Sequence, residues 1–155
     1  MADAPPTIVN RKARHDYFFD ETFEAGIMLS GSEVKSIRDG RANLKDSYAR
    51  VSRGEAQLLN LHISPYDAAN RDNHEPTRTR RLLLHRREID RLDGQVRQKG
   101  LALIPLRIYF NARGIVKIEL GLGRGKKHYD KRQSIKEREA RRETARALRT
   151  SSRER

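Results

Sequence analysis

The chain has 155 residues, 34 of them Lys or Arg and 21 Asp or Glu, for a net charge of +13, and its hydrophobic and charged fractions are both 35%. That length points to one domain, and the apolar share is too thin to bury the whole chain, so part of it is expected to stay unfolded. The absence of Cys excludes a disulfide framework, a thiolate zinc site and a Cys nucleophile. The N-terminus MADAPPTIV lacks a basic region followed by an apolar stretch, and apolar runs such as Leu101 to Leu106 are too short to span a bilayer. The expectation is a soluble, cytoplasmic protein with no membrane partner.

Residues 1–9 read as a flexible N-terminus. Asn10 to Tyr17, NRKARHDY, interleaves the cations Arg11, Lys12 and Arg14 with His15 and Tyr17, a mixture of phosphate-binding charge and stacking rings suited to RNA. Tyr17 to Leu29 alternates loosely around Phe19, Phe23 and Ala25, which predicts a long strand with a bend at Gly26. Ser30 then offers an N-cap, and Val34 and Ile37 predict a helix of about two turns that stops at Gly40. Glu33 sits in that helix beside Lys35 and Arg38. It reads either as a surface ion pair or as a carboxylate that holds one of those cations or accepts from nucleotide amino groups in a shallow RNA groove.

Tyr48 to Val51 and Ala56 to Ile63 flank Ser52-Arg53-Gly54-Glu55 and predict a hairpin. The polar stretch from Pro65 to Arg80 reads as a long surface loop, with a basic cluster at Arg78, Arg80 and Arg81. Ile89, Leu92 and Val96 predict a helix from His85 to Lys99 closed by Gly100, and Leu101 to Phe110 with Ile115 to Leu122 predict a second hairpin. About six short strands with two or three helices point to a mainly β fold: a small closed β-barrel over residues 10–129, with an oligonucleotide-binding (OB-fold) barrel the first candidate.

Charge concentrates at the C-terminus, where residues 124–155 carry 13 basic and 5 acidic side chains, net +8. Over residues 130–155 the apolar set is only Ile135, Ala140, Ala145, Ala147 and Leu148, so this basic tail is expected to be disordered when free. Nothing forbids a helix, since the tail holds no Gly or Pro, and Glu137 with Arg141 and Glu143 with Arg146 have helical spacing. A polyanionic partner would neutralise the repulsion among Arg138, Arg141, Arg142, Arg146 and Arg149 and complete the folding.

Catalytic patterns fail. Gly121, Gly123 and Gly125 before Lys126 and Lys127 match neither the Walker nor the dinucleotide fingerprint, which leaves a flexible basic segment. The five His show no zincin spacing, so no metal and no cofactor is expected. An RNase pairing of Glu33 with His62 or His85 stands as a weaker rival. Composition alone equally admits a ribosomal protein or a barrel-type initiation factor that binds ribosomal RNA.

Several blocks narrow this choice: NRKARHDYFFDETFEAGIMLSGSEVKSIRDG at 10–40, DSYARV from 46, PTRTRRLLLHRREIDRL from 76, and GKKHYDKR at 125–132 before the Arg/Glu-rich tail. In this order they resemble the bacterial small protein B family, the SsrA-binding proteins that partner transfer-messenger RNA. The resemblance, over residues 8 to about 149, implies an OB-fold barrel, no enzymatic activity, and rescue of stalled ribosomes through the tRNA-like domain of transfer-messenger RNA. It also implies elongation factor Tu with GTP as a delivery partner, through the RNA. By position, Glu33, Lys35 and Arg38 resemble the RNA-facing part of the barrel, and Lys126 and Lys127 its edge. Asp130, Lys131 and Arg132 resemble the start of a tail that becomes helical in the vacant messenger channel near the 30S decoding centre, where Tyr129 would stack. Lys136, Arg138, Arg141 and Arg142 continue that ribosome-binding tail, and Ala147 with Leu148 take the place of its terminal apolar pair.

Overall fold

The computed structural model describes residues 4–67, 73–126 and 128–153, without the side chains at 128–131, 133, 134 and 151–153. The chain divides into two compact units, one up to Arg124 and one from Gly125 onward. In order, the elements are β1 (Ile8–Val9), α1 (Arg11–Asp16), β2 (Tyr17–Ile27), α2 (Gly31–Arg38), β3 (Ala42–Asn43), β4 (Tyr48–Ser52), β5 (Glu55–Leu59) and β6 (His62–Ile63), then β7 (Arg80–Leu83), α3 (Arg86–Lys99), β8 (Ala102–Phe110), β9 (Val116–Gly125) and α4 (His128–Arg153).

The first unit is mainly β. Its large sheet runs β1-β8-β4-β5-β7-β2-β9, and a further pairing of β8 with β9 brings the sheet back on itself as a ring. Ring closure gives both edges of β8, β4, β5, β7, β2 and β9 a neighbour, which satisfies backbone groups that an open sheet would expose. The hairpins that build it were legible. Ser52 faces Glu55 across a two-residue turn in which Arg53 (φ 53°) and Gly54 (φ 76°) are both left-handed, the conformation a tight hairpin requires. At the second hairpin Asn111 Oδ1 accepts from the backbone N–H of Arg113 (3.0 Å) and Ile115 (2.9 Å), which fixes the turn between β8 and β9.

Inward residues of the ring, among them Leu58, Leu82, Ile108, Ile118 and Leu120, join Ile37 of α2 and Leu92 of α3 in the main core. A smaller cluster of Ala13, Ile104 and Leu106 packs α1 on the other face of β8. That is why β8 is buried on both faces from Leu103 to Leu106.

Two expectations need correction. Nine strands stand among the described residues where about six were expected, because β1, β3 and β6 have two residues each and pair with segments distant in sequence. The first unit holds three helices, within the two or three expected; α1, with six residues and only Ala13 buried, has too little periodicity to show in sequence. The glycine-rich segment read as flexible is the end of β9. A Cβ on Gly123 would lie 2.0 Å from the Phe18 carbonyl oxygen and one on Gly121 2.5 Å from the Phe19 ring, so the glycines serve the close approach of β2 to β9. The second unit holds one 26-residue helix. Its described side chains from Ile135 to Thr150 are all exposed, so the helix rests on local propensity and i,i+4 interactions rather than on a buried stripe.

Candidate nucleic-acid interface

The scaffold of the site is a buried ion cluster. Ser30 caps α2 by accepting from the Glu33 N–H, and Glu33 Oε1 accepts in return from the Ser30 N–H at 2.9 Å, a complete capping box. The same carboxylate reaches across the ring. Oε1 also accepts from Arg78 Nη2, and Oε2 accepts from Arg80 Nε in a short contact. Arg80 spends its remaining donors on carbonyls: Nη1 on Leu61 (2.7 Å) and Arg78 (2.9 Å), Nη2 on Pro76 (3.1 Å) and Glu75 (3.5 Å).

Glu33 and Arg80 are both 0% exposed. Burial opposes ionisation of Glu33, but hydrogen bonds from Arg78, the Ser30 N–H and Arg80 outweigh it and hold the carboxyl below its ordinary value. Burial likewise draws Arg80 below its ordinary value while Glu33 opposes the shift. Glu33 and Arg80, both expected as RNA contacts, have their polar atoms committed inside the protein, where they hold the loop before β7. With both oxygens engaged, Glu33 also cannot act as the base of the rival RNase pairing with His62 or His85.

Asn10 is buried as well. Its Oδ1 accepts from the Ala13 N–H at 3.2 Å and caps α1, while Nδ2 donates to the carbonyls of Pro105 (2.9 Å) and Leu44 (3.3 Å). Asn10, also expected as an RNA contact, is an anchor that ties α1 to β8. The cations it anchors do face outward: Arg11, Lys12 and Arg14 are exposed, Lys12 binding Asp46 at 2.8 Å. His15 and Tyr17 are half-buried, with His15 Nδ1 2.9 Å from Asp16 Oδ1 and the Tyr17 ring stacked on Phe19 at 5.9 Å.

Lys35 and Arg38 are exposed on the outer side of α2, not held by Glu33. Lys35 Nζ lies 5.5 Å from the Tyr66 ring centre, and the Arg38 guanidinium 5.6 Å from that of Phe110. Three further pairs repeat this arrangement: Arg91 over Phe23 (5.6 Å), Arg107 over Tyr109 (4.4 Å) and Arg124 over Phe18 (5.8 Å). A cation beside a ring is the chemistry that meets phosphates and bases together.

Arg107 also binds Glu119 at 2.6 Å, and the Tyr109 hydroxyl donates to Glu24, which with burial pushes it up to about 12 and keeps it a donor. Sequence reasoning missed the aromatic partners Tyr66 and Phe110 because each meets its cation only through tertiary folding. Arg107 and Tyr109, both on β8, carried the one available signal, their i,i+2 spacing on a strand.

Of the remaining predicted residues, Arg78 is partly exposed, Arg81 is exposed 3.7 Å from Glu55, and Lys126 is half-buried. Arg132, Lys136, Arg138, Arg141, Arg142, Ala147 and Leu148 are exposed on α4. Lys127 and the side chains of Tyr129, Asp130 and Lys131 lie outside the described residues. Among the described residues no group of His, Asp and Glu is placed to hold a metal ion, and no helix is long and apolar enough to cross a membrane.

Comparison with known proteins covers both units. The family model "SmpB protein" matches residues 7–150. The chain is 66% identical over 140 residues, 90% of each chain, to the SsrA-binding protein of Moorella thermoacetica, and 62% identical over 148 residues to that of Symbiobacterium thermophilum, covering 96% of this chain and 94% of the relative. Identity to the SsrA-binding protein of Bacillus subtilis is 56% over 92% of this chain and 90% of the relative. A solved structure described as "tmRNA-SmpB: a journey to the center of the bacterial ribosome" is similar with a TM-score of 0.67 and 54% identity, over 79% of this chain and 86% of that one.

Proposed function

Since the chain belongs to the SmpB protein family, we propose that it binds transfer-messenger RNA and brings it to stalled ribosomes in trans-translation. The observation that carries this reading is the extent of the similarity, which takes in the ring and the basic tail together. Supporting it, the ring carries cation–aromatic pairs at α2, β2 and β8 and a buried Glu33–Arg80 ion pair.

In this reading the ring is an oligonucleotide-binding barrel that receives the tRNA-like domain of the RNA. Its contacts are Arg11, Lys12, His15, Tyr17, Lys35, Arg38, Arg78, Arg81, Lys126 and Lys127, while Asn10, Glu33 and Arg80 position them. The protein works by binding and not by catalysis, in the cytoplasm. Elongation factor Tu with GTP joins through the charged RNA.

The tail has a separate partner. Helix α4 is the form it takes in the messenger channel near the 30S decoding centre, where Tyr129 stacks and Asp130, Lys131 and Arg132 begin the docked segment. Free in solution, residues 131–155 are largely unstructured, because they bury too little to offset a backbone ordering cost of roughly 1 to 2 kcal/mol per residue.

Recovery of the affinity-tagged protein from lysed cells tests the reading. A discrete transfer-messenger RNA in the eluate, and loss of peptide tagging on stalled chains when the gene is deleted, are the expected results. Stoichiometric 30S or 70S occupancy without that RNA would overturn it in favour of a ribosomal protein.

A further inference from the structure

A groove bounded by α1, the start of β4 and the end of α3 shares only Asn10, Lys12 and Tyr17 with the reading above. It encloses about 560 Å³, inside the range of roughly 300 to 1,000 Å³ typical of small-ligand sites. Its floor is Ala49, Ala102 and Leu103, where β4 and β8 meet through the Ala49–Leu103 pair. Tyr17, Tyr48, Val96 and Leu101 form its walls, with Tyr48 40% exposed. The rim carries Lys12, Arg50 and Arg97 against Asp16, Asp46 and Asp93, with Lys12 on Asp46 at 2.8 Å and Arg97 on Asp93 at 2.9 Å.

Equal numbers of cations and carboxylates give this rim no preference for an anion, and six charged groups around the mouth do not suit a purely apolar guest. A neutral, planar group with donors and acceptors along its edge fits both features. The tyrosines offer stacking faces, the Asp carboxylates accept from ring N–H and amino groups, and Lys and Arg donate to ring nitrogens and carbonyls. Arg11 and Arg14, exposed on the same short helix as Lys12, supply charge for flanking phosphates.

We propose that this groove is a nucleobase pocket into which one unpaired nucleotide of an RNA partner inserts. The inference rests on the RNA-binding reading and deepens it by assigning Tyr48, Arg50, Val96, Arg97 and Leu101, which that reading leaves without a role.

Ultraviolet crosslinking of the full-length protein to the tRNA-like RNA, and in parallel to isolated small ribosomal subunits, tests this on the unaltered chain. Crosslinked peptides covering residues 46–51 or 96–103 are expected with one of the two, and the RNA that yields them is the source of the base. Tyr48→Ala and the groove-filling Ala102→Leu should lower affinity for that RNA by roughly 5- to 100-fold, the range for losing one stacked base, while Tyr48→Phe retains it. Tight binding by the wild type with no crosslink in those peptides, and unchanged affinity in Tyr48→Ala and Ala102→Leu, would overturn the pocket alone. Failure of the wild type to bind either RNA would overturn the RNA-binding reading and the pocket with it.

Discussion

Glu33 joins three tasks in one side chain: it caps α2, neutralises Arg80 and fixes Arg78. Glu33→Ala leaves a buried guanidinium without its counter-charge, and removing one partner of such a pair costs roughly 3 to 5 kcal/mol; urea unfolding at pH 7 measures it. Because its folded carboxyl is held below the ordinary value, the stabilisation from Glu33 is complete above the unfolded pKa of about 4.3 and is lost as pH falls through the lower folded value. The wild type should therefore lose stability on acidification across that window, and Glu33→Gln should show a flatter acid limb. Gly123 is constrained from the other side. With the Phe18 carbonyl 2.0 Å from the place of a Cβ, Gly123→Ala forces β2 and β9 apart at a cost of about 3 kcal/mol, read as a fall in melting temperature. Gly121→Ala meets a Phe19 ring that can shift, and should cost less.

Helix α4 is where local preference and tertiary support part company. Its carbonyls gain side-chain partners from Thr144, bonded to Ala140 O at 3.0 Å, and Thr150, bonded to Arg146 O at 3.0 Å, yet its described side chains from 135 to 150 are exposed. A chain that forms a helix by propensity alone is marginal in water. Backbone NMR of the free protein should accordingly show weakly protected, only fractionally helical amides over residues 131–155, and truncation after Arg132 should leave the ring's melting temperature nearly unchanged while abolishing tagging of stalled chains. Rigid, protected tail amides or normal tagging without the tail would contradict the division of labour. The short helix α1 shows the opposite balance: six residues with one buried side chain persist because Asn10 clamps them to the carbonyls of Leu44 and Pro105.

Taken whole, the molecule concentrates +8 of its net charge of +13 in residues 124–155 and leaves +5 to residues 1–123. Each phosphate neutralised on binding releases condensed cations, so affinity for the tRNA-like RNA should fall with salt with a log–log slope of about −3 to −6. Truncation after Lys127 should leave that slope and affinity nearly intact if the ring alone receives the RNA. A slope near zero, or loss of binding on truncation, would remove that assignment. The sequence by itself determined the features written in neighbouring residues: the Ser30–Glu33 capping box, the Arg53-Gly54 turn, the helix closed by Gly100, and the basic tail. Only the tertiary structure decided what depends on distant partners. The joining of β4 to β8, the meeting of Glu33 with Arg80 47 positions away, and the passage of β2 over Gly123 all arise from pairings that leave no local pattern. Burial of the polar residues Asn10, Glu33 and Arg80 is likewise a property of the folded assembly and not of any residue in isolation.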